Sequence, residues 1–558
     1  MPHLPTIRRI SNALILIKII TVPSTCAFSP FKFGTLRLKA AVPLRSTTED
    51  VPPFEGWQGQ QPEIFLFNSK TRVKEPLRTV EQRKVSMYTC GPTVYDYAHV
   101  GNFRAFLTYD LIKRVLLYFG YDVVHICNLT DVDDKIINRA NQEDIKVITD
   151  LTQKYEEFFF ADLKSLNVLP ADKYPRATEH IEEMMEMILA LQQKGLAYET
   201  EDGSWYFATD KKDGYGKQLV DLNWDEMETS DRGEGEMKQN PQDFCLWKAF
   251  KPGTDREDSS WESPKIRKGR PGWHLECSAM ARKYLGDTID IHGGGIDLKF
   301  PHHENEIAQS EGVTGKTFCN CWLHNGFVNI NDEKMSKSLG NFMTLRSACP
   351  SPQKVRAYRY LVISSQYRNP LSFTPDVIAA AEKTVQRVDR VMDQINEVLQ
   401  EHTTKATSSD TLLATDIIPN ALRNFEAALL DDLSMPRAAA SLFSIIKGVE
   451  KELKTRNKES DGEIDLVGLK LARDAILQMD RIFGIFYKVP ATNQEDFETK
   501  SAASDTVPDL VRELVARRTE AKRLQDWALA DTLRAQITEL GFTIKDVKGG
   551  DPVIIKVS

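Results

Sequence analysis

Val85-Ser86-Met87-Tyr88-Thr89-Cys90, the helix-length segment Gly101 to Phe119, and Tyr121-Asp122-Val123-Val124-His125-Ile126-Cys127 together decide the fold. The outer runs have the length and apolar content of strands. The middle one has the length and amphipathic pattern of a helix. Gly120 stands where such a helix needs its C-terminal cap. Two strands joined through a helix are parallel, so this unit is half of a doubly wound α/β sheet.

Outward from it, a polar, helix-rich stretch starts at about residue 150. Residues 202–264 are dense in Gly, Asp and Ser, as in an inserted domain with loops of its own. Strand-like runs return at Ile289-Asp290-Ile291 and Phe327-Val328-Asn329-Ile330, so the insertion splits the sheet. Beyond Leu345 the pattern is helical. Ile418, Leu422, Phe425 and Leu429 share one face, as do Leu442, Ile445, Val449 and Leu453, and 464–487 is rich in apolar residues. Segments 402–410 and 491–506 lack periodicity and read as linkers, and 508–558 reads as a charged helix hairpin with a short β-like end.

The chain has 558 residues, 41% hydrophobic and 27% charged, which excludes a disordered or fibrous protein. Its 72 basic and 80 acidic residues give a net charge of −8, which excludes attachment to nucleic acid by bulk charge. Eight cysteines are too sparse for a disulfide scaffold, so a reduced compartment is the default. Residues 1–48 differ in kind: they hold Arg8, Arg9, Lys18, Lys32, Arg37, Lys39 and Arg45 and no acidic residue. The apolar run Ala13 to Val22 is too short for a membrane span and is broken by Lys18, so no transmembrane helix is expected. Followed by Ser24-Thr25-Cys26-Ala27-Phe28, it resembles the two-part plastid pre-sequences of algae with complex plastids. The expectation is a transit peptide and an organellar destination, plastid ahead of mitochondrion, with dual targeting open.

Two short motifs carry chemistry. His99-Val100-Gly101-Asn102 lies between strand and helix, where backbone N–H groups and the helix dipole favour phosphate, although a His satisfied in a turn reads the same alone. Lys334-Met335-Ser336-Lys337-Ser338, in a loop bounded by Gly326 and Gly340, is a cationic clamp or a solvated basic turn. In this order across a split sheet, the pair resembles the signatures of the class I aminoacyl-tRNA synthetases. A third group is Cys90, Cys277, His302 and Glu306. The i, i+4 spacing of the last two puts them on one helix face, and the four form a plausible tetrahedral zinc set, with two buried thiols and a helix-face ion pair as the alternative.

Cys90 to Asp96, Asn128 to Lys135, Gly272 to Met280 and Asp290 to Ser310 are similar to cysteinyl-tRNA synthetases, and the similarity runs over about 62–548. The resemblance implies a Rossmann-like catalytic domain and one zinc ion on Cys90, Cys277, His302 and Glu306. Gly91, Thr130 and Trp273 then line the cysteine pocket. His99, Gly101 and Asn102 meet the ATP phosphates, and His292, the Gly293-Gly294-Gly295 turn and Asp297 hold adenosine. Lys334 and Lys337 clamp the leaving phosphates. The implied reaction joins L-cysteine to cysteine tRNA through ATP with Mg²⁺, with no membrane partner and a monomeric enzyme.

The expected organisation is a targeting pre-sequence (1–55), the first catalytic half (56–165), an inserted connective domain (166–265) and the second catalytic half (266–345). A stem-contact helical region (346–410), a helical anticodon-binding bundle (411–489), a linker (490–507) and a small C-terminal domain (508–558) follow. From Lys334 to Thr374 there are seven basic residues and no acidic one, so this stretch is expected to track the RNA backbone, with Tyr358, Tyr360 and Tyr367 stacking on bases. Two features depart from the family pattern. The end, Asp551 to Ser558, lacks the aromatic and basic tail of some bacterial relatives. Asn138 replaces a Lys linked in some members to persulfide formation, so that side activity is not expected. A zinc-dependent ligase joining cysteine to an amino sugar, and a non-catalytic RNA-binding paralogue, are the competing readings. The helices after Leu345 argue against the first and the intact motifs against the second.

Overall fold

The computed structural model describes residues 62–222, 237–330, 333–335, 342–401, 411–456, 464–490, 509–523, 526–540, 542–545 and 553–556. The expected pre-sequence, the linkers 402–410 and 491–506, and Lys337 lie outside the described residues.

Four parallel strands form the central sheet: β1 (Lys84–Thr89), β2 (Asp122–Cys127), β3 (Ile289–Gly295) and β4 (Cys319–Asn325), in the order β4-β3-β1-β2. Three helices matter for the site: α1 (Val100–Tyr118), α2 (Trp273–Leu285) and α3 (Glu304–Thr314). The β1-α1-β2 unit winds one way and β3-α3-β4 the other. The reversal between adjacent β1 and β3 opens a crevice at their carboxyl ends, where doubly wound sheets bind ligands. Cys90 and Gly91 follow β1, Asn128 to Thr130 follow β2, and Gly293 to Gly295 close β3.

α1 differs from its amphipathic expectation, because most of its residues are buried, Arg104, Asp110, Lys113 and Arg114 among them. One face packs on the sheet and the other meets the C-terminal helices. Asp110 pairs with Arg114 at 2.8 Å and Arg359 at 2.6 Å. Arg114 also donates to the Arg481 carbonyl and Arg359 to the Phe483 carbonyl. Charges that read as a solvated face are a buried joint between domains. Gly120 follows the helix as expected, at φ 75°.

The insertion builds a five-stranded antiparallel sheet of Ala197–Glu199, Trp205–Phe207, Phe244–Ala249, Ile266–Pro271 and, at the edge, Trp261–Ser263. Its core, with Trp205, Phe207, Phe244 and Trp247, is continuous with Leu275 and Met280 of α2. Strand Ile266–Pro271 runs directly into Gly272 and α2, so the insertion delivers Trp273 and Cys277 to the crevice. Lys248 and Arg270 each reach Asp134, at 2.5 Å, and tie it to the end of β2.

Helices Pro352–Ile363, Pro375–Glu401, Ile418–Leu430, Met435–Arg456 and Leu466–Phe483 follow. The expected stripes are inside: Ile418, Phe425, Leu429, Leu442, Ile445, Val449 and Leu453 are buried and Leu422 is partly so. Helices Asp509–Arg523 and Trp527–Glu539 and the hairpin Phe542–Lys545/Val553–Lys556 form a last unit with its own small core. Among the described residues, no helix is long and apolar enough to cross a membrane.

Candidate active site

His99 is the N-cap of α1. Its Nδ1 accepts from the Asn102 N–H at 3.2 Å, while Asn102 Oδ1 accepts from the His99 N–H at 3.1 Å. This reciprocal box fixes both side chains at the positive end of the helix dipole. A Cβ on Gly101 would lie 2.8 Å from His99 Nδ1, so a larger residue here would push the imidazole out of this box. Met335, from the second motif, lies 3.6 Å from that same point.

Cys90, Cys277, His302 and Glu306 are buried, and their donor atoms all lie within 4.8 Å of one another. The two sulfurs are 4.0 Å apart, and His302 Nε2 is 3.1 Å from Glu306 Oε1. His302 precedes α3 rather than lying within it: Lys299–His303 form a wide turn, with Phe300 non-helical, yet the i, i+4 approach survives. The Cys90 thiol hydrogen-bonds Cys277, whose own thiol is drawn down to about 6 by that bond and by His302, against burial. Burial, with the neighbouring Cys277 and Glu306, pushes the Cys90 thiol well up. Burial opposes protonation of His302, but Glu306 and Cys277 outweigh it and raise its pKa. Such a nest of soft and imidazole donors fits zinc.

A second set, Cys90, His292, His303 and Glu306, is equally close-knit. His303 Nε2 is 3.3 Å from Cys90 Sγ, and its Nδ1 is 2.8 Å from His324 Nε2. Burial and the neighbouring His292 and His324 hold His303 well below the ordinary imidazole pKa. The two sets share Cys90 and Glu306. His292 is fully buried, with Nε2 2.8 Å from Glu306 Oε2, stacked on Trp322.

The expected cysteine-pocket residues converge on the same nest. Thr130 donates to Glu276 Oε2 at 2.7 Å, and Asn128 accepts from the Gly91 N–H at 2.9 Å and donates to Thr130 Oγ1 at 3.3 Å. Gly91 is pressed against the Asn128 carbonyl so tightly that a side chain has no room. Trp273, half-buried, stacks on His302 with ring centroids 4.3 Å apart. The Gly293-Gly294-Gly295 run, expected as a turn, lies within β3 instead. Its glycines admit close neighbours: Gly294 abuts His303, and a Cβ on Gly295 would lie 2.5 Å from Asp297 Oδ1. Asp297 is exposed just beyond the strand. Lys334 pairs through its backbone with Asn329 in a short hairpin.

The expected RNA path is corrected by its own side chains. Arg346 pairs with Asp162, Arg356 with Asp389, Arg359 with Asp110 and Arg368 with Asp432, at 2.6–3.0 Å. Tyr358, Tyr360 and Tyr367 are buried. The first three pairs staple helices together, Arg368–Asp432 joins two loops, and the tyrosines are core. The sequence reading also passed over His303, Asn128 and Glu276. The doubled His302-His303, and Asn128 at the carboxyl end of β2, were the available signals.

Residues 76–383 match the model of the class I (C) tRNA synthetase catalytic domain. Among solved structures, a Mycobacterium tuberculosis methionyl-tRNA synthetase bound by methionyl-adenylate superposes with a TM-score of 0.53 at 15% identity, covering 72% of this chain and 92% of that one. The shared architecture is therefore that of a class I synthetase. Cysteine–tRNA ligases of Caldicellulosiruptor saccharolyticus and Desulfitobacterium hafniense are 41% and 42% identical, over 88% and 87% of this chain and 99% and 98% of their own lengths. The chain belongs to the cysteine–tRNA ligase family.

Proposed function

We propose that this chain ligates L-cysteine to its cognate tRNA, with a zinc ion on Cys90, Cys277, His302 and Glu306 selecting the thiol. The observation that carries the reading is the buried four-donor nest at the sheet's switch point, beside Gly91, Thr130 and Trp273. A zinc ion held by Cys90, Cys277, His302 and Glu306 would supply a thiophilic contact for the substrate sulfur that a serine hydroxyl would not match, a distinction an apolar pocket can scarcely make. His292 and Asn128 act behind it, holding Glu306 and the pocket floor.

In the first step a cysteine carboxylate oxygen attacks the α-phosphorus of ATP. The bond to the bridging oxygen breaks and pyrophosphate leaves with Mg²⁺. His99, Asn102 and the N-terminus of α1 face the phosphates, while Lys334 and Lys337 stabilise charge on the leaving group. Gly293 to Gly295 and Asp297 form the adenosine side, while His292, expected there, is buried behind Glu306. In the second step a ribose hydroxyl at the tRNA 3′ end attacks the activated carbonyl, loses its proton and releases AMP. Positioning and charge stabilisation carry both steps, with no protein nucleophile.

The acid-free composition of residues 1–48 supports an organellar destination, and the apolar run followed by Ser24-Thr25-Cys26-Ala27-Phe28 puts plastid ahead of mitochondrion. Fusing residues 1–55 to a fluorescent reporter tests it: organellar fluorescence is expected, and diffuse cytosolic signal contradicts it. Charging of a cysteine tRNA transcript with radiolabelled cysteine, with serine in parallel, tests the reaction. Cysteine-only charging is expected. Cysteine-dependent pyrophosphate exchange without charging would move the acceptor away from tRNA.

A further inference from the structure

Of the three buried cations on α1, Arg114 belongs to the joint with Asp110 and Lys113 pairs with Asp172; the third is Arg104. Arg104, two residues past Asn102, is 1% exposed. Its guanidinium donates to the carbonyls of Phe327 and Asn369 and, at 3.1 Å, of Tyr367. Burial draws its pKa down to about 10, and Tyr358, not a carboxylate, is the group that opposes this. Among the described residues no carboxylate pairs with it, and a buried cation held by carbonyls alone is expensive to fold around, so what it holds in place is informative.

It holds the root of the loop that carries the two lysines. Phe327 leads into Val328–Ile330, which pairs with Glu333–Lys334. Phe327 O also accepts from the Leu371 N–H at 2.8 Å, and Tyr367 O from the Gly326 N–H at 2.9 Å. The Asn369 carbonyl comes so near Gly326 that a Cβ there would sit 2.5 Å from it. On the far flank the Val100 N–H donates to Met343 O at 3.0 Å, and the Tyr358 hydroxyl donates to Val100 O. The first turns of α1 are thus stitched to both flanks of the lysine loop, and Arg104 makes the stitch on the entering side.

We propose that Arg104 is a positioning residue for adenylate formation, setting the register between the phosphate-facing end of α1 and the root of the loop bearing Lys334 and Lys337. This rests on the reading of those lysines as a phosphate clamp.

The test uses the full chain and cysteine-dependent pyrophosphate exchange, with zinc content and thermal midpoint measured on each variant. Arg104→Met is expected to lower the exchange kcat by about 100-fold, with cysteine KM and zinc content unchanged, as a misplacement of roughly 1 Å does. Arg104→Lys should recover part of the rate, and it carries the test if the methionine variant does not fold. The discriminating experiment is the pair Arg104→Lys and Lys334→Ala. If Arg104 acts through the loop, the double variant is no more than about 2-fold slower than Lys334→Ala alone. Multiplied single effects, or a loss that tracks zinc or cysteine binding, overturn the proposal. A slow Lys334→Ala beside a parental Arg104→Met sinks the Arg104 proposal and leaves the clamp standing. A parental Lys334→Ala removes the clamp itself and the proposal with it.

Discussion

The donor nest after β1 and the basic stretch from Lys334 to Thr374 both read from sequence as sites, and the structure treats them oppositely. The nest gathers Cys90, Cys277, His302 and Glu306 from three distant segments into one buried cluster, as their chemistry requires. The basic stretch is dispersed, because its arginines turn to Asp110, Asp162, Asp389 and Asp432. A ligand set is specified by residue types that rarely serve any other purpose together. A run of one charge sign is specified only by the absence of nearby acids, and acids hundreds of residues away can still neutralise it.

The largest expected effect lies in the nest. Cys277→Ser should lower zinc content and cysteine activation together, activation by at least about 100-fold. Normal zinc with normal exchange would show that Cys277 only packs. Next comes the buried joint: Arg359→Met should destabilise the fold by about 3–5 kcal/mol by leaving Asp110 under-compensated, read from urea unfolding. A change below about 0.5 kcal/mol would place Arg359 among ordinary surface residues.

A smaller, pH-dependent effect is expected at Asp480, which lies near Arg114 and Arg359. Burial raises its pKa from 3.8 to about 6, against two backbone N–H bonds and the arginines. The folded state therefore holds this proton more tightly than the unfolded one, and the associated stability, full below 3.8, is lost as pH rises through about 6. Asp480→Asn should gain on the parent across that window and keep a constant lead above it. A lead that does not change with pH would remove the titration. The smallest effect is a null one. Arg356→Gln and Arg368→Gln should leave the salt dependence of tRNA binding unchanged, whereas a phosphate contact would reduce the log–log slope by about 1.

The parallel β1-α1-β2 unit, the split sheet and the helical stripes were legible because period and length report burial directly; the strand expected at Phe327–Ile330 instead pairs in a separate small sheet, and β4, Cys319–Asn325, takes its place beside β3. α1 was not: Asp110, Lys113 and Arg114 gave it a polar face, and only the presence of Arg359 and the 481–483 segment shows that face to be internal. The Gly293 to Gly295 run misled for a related reason. Glycine signals a turn where φ must be positive, but here it signals the close approach of His303, Tyr109 and Asp297 to a strand. In the site, the residues offering unusual chemistry were found, and those acting by support were not. Asn128 and Arg104 are ordinary polar residues until their partners from other segments are in view.

Metal content and amino-acid-dependent pyrophosphate exchange, measured on one preparation with cysteine and with serine, test the central claim most directly. One zinc per chain, exchange with cysteine and none with serine, and loss of that exchange on chelation are predicted. Cysteine exchange that persists in metal-free protein, or equal exchange with serine, would contradict it.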